Sequence, residues 1–594
     1  MLDHIFENDA VFEQIKTGLE NNQGPVLVSG CTDGAKAHLV SALRGKKKRG
    51  NYKVIVTADE NKAKEWVENY RFFGEDAVYF PAKDPLFYSA DIHGNAIAKE
   101  RLRGIESIIK GQGGVFVLSV DALMDRVVPL AEIKKNRVMI SLETEVSEQE
   151  ICISSAGEAG LFYALQTLKQ ILLTNGCKIP SLSINDAPLY HYRGFMLDVG
   201  RYFYPVEEVK HFLDLMAVHK LNIFHWHLTE DQGWRVEIKK HPRLTEFGSK
   251  RSHTNFGFRP HSGFYTQEDI REVVAYAHSK YIKVIPEIDM PGHMQSAIAC
   301  YPELSCFNRS LPVATHWGVK HDILCAGKES TYQFIFDVLD ELIPLFPDGY
   351  FHLGGDEVVK MRWQLCPHCQ AFMKKTGLKD EEELQQFFMS RVSRYLKEKG
   401  VASMMWNWDS VEATQWLDRD IIWQMCGMPK NTQAEITAGR RMVNSVSFPY
   451  YLDLPYGWFN LRATYENTPE IPHIDVASAK NLLGLEAPLW TEYVPNMKKA
   501  DYCTYPRLGA IAEIAWTAPE NRSWAHFQQK LEDYYRLLSV YGVEHPATLK
   551  QAMPGALRAK GYSLWFNRRQ LHWAGLHNLI DDAKVKKSVA KQQR

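Results

Sequence analysis

The sequence predicts an α/β protein whose main part is a (β/α)8 barrel over residues 187–540, and three observations carry that expectation. Between about 190 and 540, eight short apolar segments read as strands. Helical patterns separate them. Polar and aromatic residues gather at the C-terminal end of the strands, which in such a barrel is the mouth where chemistry is done.

The elements can be justified in order. At 594 residues the chain is long enough for three or four units. Residues 1–131 read as a separate α/β domain, with strands at Pro25–Gly30, Tyr52–Thr57 and Gly114–Ser119 and a helix at Ala35–Leu43. The basic run Lys46–Arg49 reads as a solvated loop. Gly30-Cys-Thr-Asp-Gly-Ala-Lys36 comes after a strand as a phosphate loop would, yet it lacks the Gly-Lys-Ser/Thr ending that supplies a phosphate lysine and a magnesium hydroxyl. That argues against nucleotide binding.

Lys134–Arg137 marks a junction, and residues 132–186 form a small unit. Val138–Glu145 and Glu150–Ser155 read as a hairpin, and Ala159–Leu173 as a helix with Leu161, Leu165, Leu168, Ile171 and Leu172 on one face. So small a piece needs a neighbour to bury that face, so it should pack on the barrel that comes after it in the chain.

The barrel strands are expected at Gly194–Val199, Asn222–Leu228, Ile282–Glu287, Tyr350–Gly355, Ser403–Asn407, Ile421–Met425, Val443–Phe448 and Leu483–Leu489. Pro205 opens a helix with Val206, Val209, Phe212, Leu213 and Met216 on one face. Leu384, Phe388, Val392, Tyr395 and Leu396 mark another. The tail, 541–594, ends in Lys584–Lys587 and Lys591–Arg594 and reads as a solvated helix end.

Composition narrows the function. With 45% hydrophobic and 24% charged residues the chain is globular, and a net charge of −1 gives no global pull toward nucleic acid or an anionic membrane. Fifteen Trp favour a sugar site, where pyranose C–H faces pack on aromatic rings. No window reaches the roughly 18 apolar residues of a membrane span. The first ten residues carry acids where a signal peptide needs a basic start, and ten scattered Cys read as reduced thiols. Together these point to a cytoplasmic protein. Cys366-Pro-His-Cys369 lacks the second ligand pair of a zinc site, so structural thiols are favoured over metal.

The strand ends supply the chemistry. Tyr350-Phe-His-Leu-Gly-Gly-Asp-Glu-Val358 is a strand, two glycines that permit a sharp turn, and two adjacent acids at the mouth. Asp198 and Arg201 end the first strand; His225, His227, Glu230 and Asp231 the second; Glu287, Asp289 and His293 the third. Trp406 and Trp408 follow the fifth strand, and Trp423 lies in the sixth. Tyr451 and Asp453 follow the seventh, Trp490 and Glu492 the eighth.

Residues 190–517 resemble glycoside hydrolase family 20, the β-N-acetylhexosaminidases. The motifs are Arg193–Arg201, Lys220–Arg235, Pro286–His293, His352–Glu357, Tyr451–Asp453 and Leu489–Glu492, in family order on successive strands. The preceding unit resembles the end of the family's usual accessory α/β domain. The resemblance implies release of terminal β-linked GlcNAc or GalNAc with retention, using the substrate's own 2-acetamido oxygen as nucleophile. It implies Glu357 as general acid/base, Asp356 orienting the acetamido N–H, and Tyr451 bonding the acetamido oxygen. Trp406, Trp423 and Trp490 would wall the pocket. Arg201, Asp453 and Glu492 would hold sugar hydroxyls, and Glu230 and His293 would support Glu357. Position 230, Asp in many relatives, carries the longer Glu. No cofactor and no metal are implied. The partner is an N-acetylhexosamine oligosaccharide or glycoconjugate, with no nucleic acid and no membrane. A relative specialised for a disaccharide or a sulfated sugar is the rival enzyme; a non-catalytic glycan-binding or DNA-repair module is the rival from another class.

Residues 1–131 resemble the N-terminal UvrB-like domain of bacterial transcription-repair coupling factors, through Gly30-Cys and Lys36–Leu39, Tyr70–Phe73, Phe80–Asp84, Ala90–Asn95 and Asp121–Arg126. No helicase motifs accompany them. Because the phosphate-loop ending is absent, millimolar ATP is expected to leave the melting temperature unchanged; an ATP-dependent rise in a thermal-shift assay would contradict this.

Overall fold

The structure is a computed structural model that describes residues 10–20, 33–43, 52–58, 60–72, 77–80, 114–119, 140–141, 151–155, 157–175, 182–407, 412–427, 431–570, 581–587 and 589. It divides into two compact units, Met1–Cys152 and Ile153–Arg594.

In the first unit a parallel sheet runs in the order Tyr52–Thr57, Gly114–Ser119, Ala77–Phe80. Helix Glu60–Phe72 buries Ala63, Val67 and Tyr70 against Ala77, Val115 and Val117. Ala77–Phe80 adds to the strands expected, because four residues are too few for alternation to register. Asp33–Ala42 is helical, close to the expected 35–43. The expected strand at 25–30, the basic loop at 46–49, the junction at 134–137 and the boundary at 131 lie outside the described residues. Ile140–Ser141 pairs with Ile151–Cys152 in parallel, so these strands are not the hairpin expected. Alternation marks a strand but is silent about its direction.

In the second unit eight parallel strands close into a barrel in chain order. They are β1 Tyr192–Asp198, β2 Ile223–His227, β3 Lys283–Glu287, β4 Tyr350–His352, β5 Ala402–Asn407, β6 Ile422–Met425, β7 Met442–Asn444 and β8 Leu482–Leu489, and β8 pairs with β1. Every expected barrel strand is present, but the fourth stops at His352 and the seventh at Asn444, with Phe448 in the short helix Ser447–Tyr450.

The flanking helices form for local reasons as well as tertiary ones. In Gln267–His278, Thr266 and Asp269 make a reciprocal capping box that satisfies exposed N-terminal donors. In Glu381–Glu398, Asp380 accepts from the Glu383 N–H, and Leu384, Phe388, Val392 and Leu396 face the barrel core. Helix Glu158–Asn175 docks on the barrel side as expected: Gln170 Nε2 donates to the Val218 carbonyl at 2.8 Å, and the Tyr163 ring meets Trp516 at 5.4 Å. No helix among the described residues is long and apolar enough to cross a membrane.

The tail differs from a solvated helix end. Ala547 and Ala552 are buried with Phe527 and Leu531, and Asp581 and Asp582 pair with Arg309, His321 and Arg362. Lys584, Lys586 and Lys587 are exposed, as their charge requires, while Val585 between them is buried.

Inside the barrel the base is apolar. Tyr192, Ile223, Ile285, Tyr350, Met404, Ile422, Val443 and Leu483, one from each strand, form a single cluster. It is a packed floor, not a pore. Above it the interior turns polar. Removing a buried branched side chain from such a floor costs about 2–5 kcal/mol. Ile422→Ala is therefore expected to lower the denaturant midpoint by that measure, with activity per folded molecule kept; an unchanged midpoint would show that the floor is not close-packed.

Candidate active site

The polar layer starts with two fully buried acids. Glu486 on β8 accepts from Tyr192 Oη at 2.5 Å and Gln424 Nε2 at 2.5 Å, and meets His225 Nδ1 at 2.9 Å. Glu287 on β3 meets His225 Nε2 at 3.0 Å and His227 Nδ1 at 2.5 Å and accepts from Trp406 Nε1 at 2.7 Å. Burial works against ionisation of Glu287, but the three histidines around it hold its pKa well below the usual carboxylate range. His225 is disfavoured as a cation by burial, yet Glu486 and Glu287 lift it to about 9. His225, Glu287 and His352 stand close enough to share a metal ion, as do neighbouring His–acid groups at the mouth. The ring nitrogens of His225 are already taken by carboxylates.

The second layer is at the mouth. Asp198 holds the β1 turn by accepting from the Gly200 and Arg201 N–H groups and ties it to β8 through Thr491. Arg201 is then gripped by three acids: Asp198 at 3.0 Å, Glu230 at 2.6 Å and Glu492 at 3.7 Å. Its guanidinium lies 5.0 Å from the Trp490 ring centroid. Glu230 reaches His293 Nδ1 at 3.1 Å with its other oxygen. His293 Nε2 in turn stands 3.5 Å from Glu357 and 3.8 Å from Asp356. The chain Arg201–Glu230–His293–Glu357 is continuous.

The β4 turn explains how two adjacent acids reach this place. Gly354 and Gly355 have φ of +68° and +101°, and Glu357 itself has φ of +48°. A Cβ at Gly354 would sit 1.7 Å from Asp289 Oδ1, the atom that accepts the Gly355 N–H at 3.0 Å. Only glycine tolerates both the left-handed backbone and that approach. A left-handed conformation at Glu357 and at His293 (φ +54°) is strain of the kind that clusters at functional sites.

Charges follow from this geometry. Burial, with the nearby Asp356 and Glu230 charges, raises Glu357 to about 7 against the opposing pull of His293 and Arg201. Burial opposes a charged His293, but Glu230, Asp289 and Asp356 hold it well above the ordinary histidine range. Burial pushes Asp453 well up and Glu492 up, and each faces other acids. Burial likewise keeps the Tyr451 hydroxyl protonated. Asp356 Oδ1 and Asp453 Oδ1 are buried without a hydrogen-bond partner among the described residues. Buried acceptors left so call for a polar ligand.

Met196, Trp406, Cys426 and Trp490 cluster with Tyr451 packed against them, which makes the wall of the mouth. Ten of the eleven residues the sequence picks out thus converge: Arg201, Glu230, His293, Asp356, Glu357, Trp406, Tyr451, Asp453, Trp490 and Glu492. Trp423 does not. Strand alternation turns Ile422 into the floor and Gln424 toward Glu486, so Trp423 faces outward, where Arg440 lies 4.5 Å from its ring centroid. With Glu357, Trp406, Met405, Met389 and Gln385 it nevertheless borders one cavity of about 780 Å³. Trp408 lies outside the described residues. Sequence reasoning passed over Glu486, Thr491 and Cys426. A lone acid inside an apolar strand was the available signal for Glu486.

Residues 190–519 match the model of the glycosyl hydrolase family 20 catalytic domain, and residues 144–187 match that of the family's domain 2. A beta-hexosaminidase of Porphyromonas gingivalis is 39% identical over 420 residues, 67% of this chain and 53% of its own length. The chain thus spans about half of that relative. A beta-hexosaminidase of Akkermansia muciniphila is 33% identical over 71% of this chain and 87% of its own length. Among solved structures, the beta-N-acetylhexosaminidase from Bacteroides fragilis is 32% identical with a TM-score of 0.61, covering 69% of this chain and 84% of its own.

The raised carboxyl can be tested directly. Glu357 should keep its proton until about pH 7, giving an infrared or 13C-NMR carboxyl transition there that Glu357→Gln removes. A transition near the unperturbed value of about 4.3 would show that the burial does not act as described.

Proposed function

The chain belongs to glycosyl hydrolase family 20, and on that premise we propose that it is an exo-acting β-N-acetylhexosaminidase that removes terminal β-linked GlcNAc or GalNAc with retention. The observation that carries this reading is the β4 turn, where Asp356 and Glu357 leave one strand end side by side. Two acids so placed approach a sugar from the same side. An ordinary retaining pair flanks the bond at about 5 Å instead. The missing nucleophile is then the substrate's 2-acetamido oxygen.

Glu357 protonates the leaving oxygen and later takes a proton from water. A carboxyl near pKa 7 suits both halves, because it is a usable acid and a usable base near neutrality. Its rate contribution as an acid is full below pH 7 and falls as the pH rises through that value. Asp356 offers its unpaired oxygen to the acetamido N–H, which makes the acetamido oxygen more nucleophilic as positive charge builds on nitrogen. Tyr451, kept protonated, donates to that oxygen and aims it at the anomeric carbon. Trp406, Trp490 and Cys426 enclose the methyl group and the ring. Asp453, Glu492 and Arg201 take the hydroxyls. Glu230 and His293 hold Glu357 in line.

The substrate class is an N-acetylhexosamine oligosaccharide or glycoconjugate. The thiols of Cys300, Cys306, Cys325, Cys366, Cys369, Cys426 and Cys503, none of them in a disulfide, support a cytoplasmic setting, which cell fractionation would check. The kinship of residues 1–131 to a repair-factor domain stands as a proposal of its own.

A thiazoline analogue carries the cyclised acetamido geometry before it binds, so it should inhibit far more tightly than GlcNAc. Asp356→Asn should weaken that inhibition, and aryl β-galactosides lacking the acetamido group should be poor substrates beside aryl β-GlcNAc and β-GalNAc. Glu357→Gln should lower kcat by roughly 10²–10⁴-fold on poor leaving groups and less on activated ones. A 2-fluoro sugar that trapped a covalent adduct on a protein carboxylate would refute the mechanism.

A further inference from the structure

Away from the mouth, four buried cysteines that lie far apart in sequence meet at one point. Cys306 and Cys325 come from the loop after β3, and Cys366 and Cys369 from the loop after β4. The four Sγ atoms all lie within 4.8 Å of one another. The measured edges are 3.6 Å for Cys325–Cys369, 3.7 Å for Cys325–Cys366 and 3.9 Å for Cys306–Cys369. Four sulfurs each about 2.3 Å from a central zinc, at tetrahedral angles, stand about 3.8 Å apart. A disulfide needs about 2.05 Å, so none of these contacts is one.

The backbone is arranged to bring the four sulfurs together. Ser305 and Leu324 form an antiparallel bridge, and the Cys325 N–H donates to the Leu304 carbonyl at 2.8 Å, which brings Cys306 and Cys325 side by side. Cys366 is the N-cap of helix Pro367–Thr376, and Cys369 lies in its first turn. Gly327 lets the loop after β3 press on that helix start, since a Cβ would come within 2.4 Å of the His368 carbonyl carbon. Trp363 Nε1 closes the far side by donating to the Leu324 carbonyl at 2.8 Å.

We infer that Cys306, Cys325, Cys366 and Cys369 form a structural zinc site. The pair that Cys366-Pro-His-Cys369 lacks in sequence is supplied by the neighbouring loop. An all-thiolate tetrahedron buried from solvent, with no open position, is the closed form that structural zinc takes. Binding is a proton exchange: Zn²⁺ enters, the four thiols become thiolates, and four protons leave to solvent. The site has a mechanical consequence. The loop after β3 also carries His293, and the loop after β4 also carries Asp356 and Glu357, so the zinc would clip together the two loops whose side chains meet at 3.5 and 3.8 Å.

The test uses the full chain, expressed with added zinc and purified under reducing conditions. Elemental analysis should find about one zinc per chain. A mercurial thiol reagent should release it as the cluster thiols are titrated, and the metal-depleted protein should melt at a lower temperature. Cobalt(II) in its place should show the intense d–d bands of a tetrahedral site together with sulfur-to-cobalt charge transfer. Cys366→Ser with Cys369→Ser should lose the metal; should that variant not fold, the wild-type metal content and cobalt spectrum still decide. Metal-free wild-type protein with four freely titratable thiols, disulfides among the four cysteines by mass spectrometry, or iron in place of zinc would each overturn the assignment.

Discussion

Everything at the mouth depends on one constraint: a carboxylate taken out of water must find partners or lose its charge. Glu287 is fully buried at the centre of the barrel and stays ionised only because histidines from β2 and β4 and the indole N–H of Trp406 on β5 surround it. Breaking one such buried pair costs about 3–5 kcal/mol, because the remaining charge is stranded. The cluster therefore fixes β2, β3, β4 and β5 relative to one another. It also fixes Trp406, whose ring is the floor of the wall above it.

The same constraint recurs one layer up with a different outcome. Arg201 is shared among Asp198, Glu230 and Glu492, and Glu230 passes the order on to His293. Asp198, Glu230 and His293 each lie within 3.1 Å of an opposite charge. Glu357, at the end of the chain, has no partner so close: the His293 ring beside it is already held by Glu230 and stands 3.5 Å away. Burial then dominates and lifts its pKa to about 7. Glu230 and Glu357, joined through one histidine, thus differ in charge for reasons of partnership alone. One cluster thus holds both a fixed anion and a carboxyl that keeps its proton to about pH 7.

Glycine makes that placement possible. The left-handed turn at Gly354-Gly355 runs against Asp289 with no room for a methyl group, and delivers Asp356 and Glu357 into the mouth. The apolar floor, with one side chain from every strand, gives these loops a rigid base. The four-cysteine cluster brings the same two loops together at a second point. Precision at the acid is held from below by packing and from the side by the loops themselves.

The sequence by itself determined the barrel, its eight strands and most of the residues that meet at the candidate site. Apolar strands of the right length at regular intervals are local features, and ten of the eleven site residues sit at strand ends where chain order alone predicts convergence. Tertiary structure decided what local pattern leaves open. Trp423 and Gln424 are neighbours in one strand, and a shift of one residue in phase exchanges which of them faces inward; only pairing with β5 and β7 sets that phase. The direction of the pairing between Ile140–Ser141 and Ile151–Cys152 is invisible to alternation for the same reason. Asp581 and Asp582, beside exposed lysines in a charged tail, read as solvated until Arg309 and Arg362 are seen across from them. Cys306 and Cys325 carry no spacing signal, because their meeting with Cys366 and Cys369 is made by two loops folding over adjacent strands. Sequence records what each residue prefers beside its neighbours along the chain; which distant residue stands opposite is fixed only when the barrel closes.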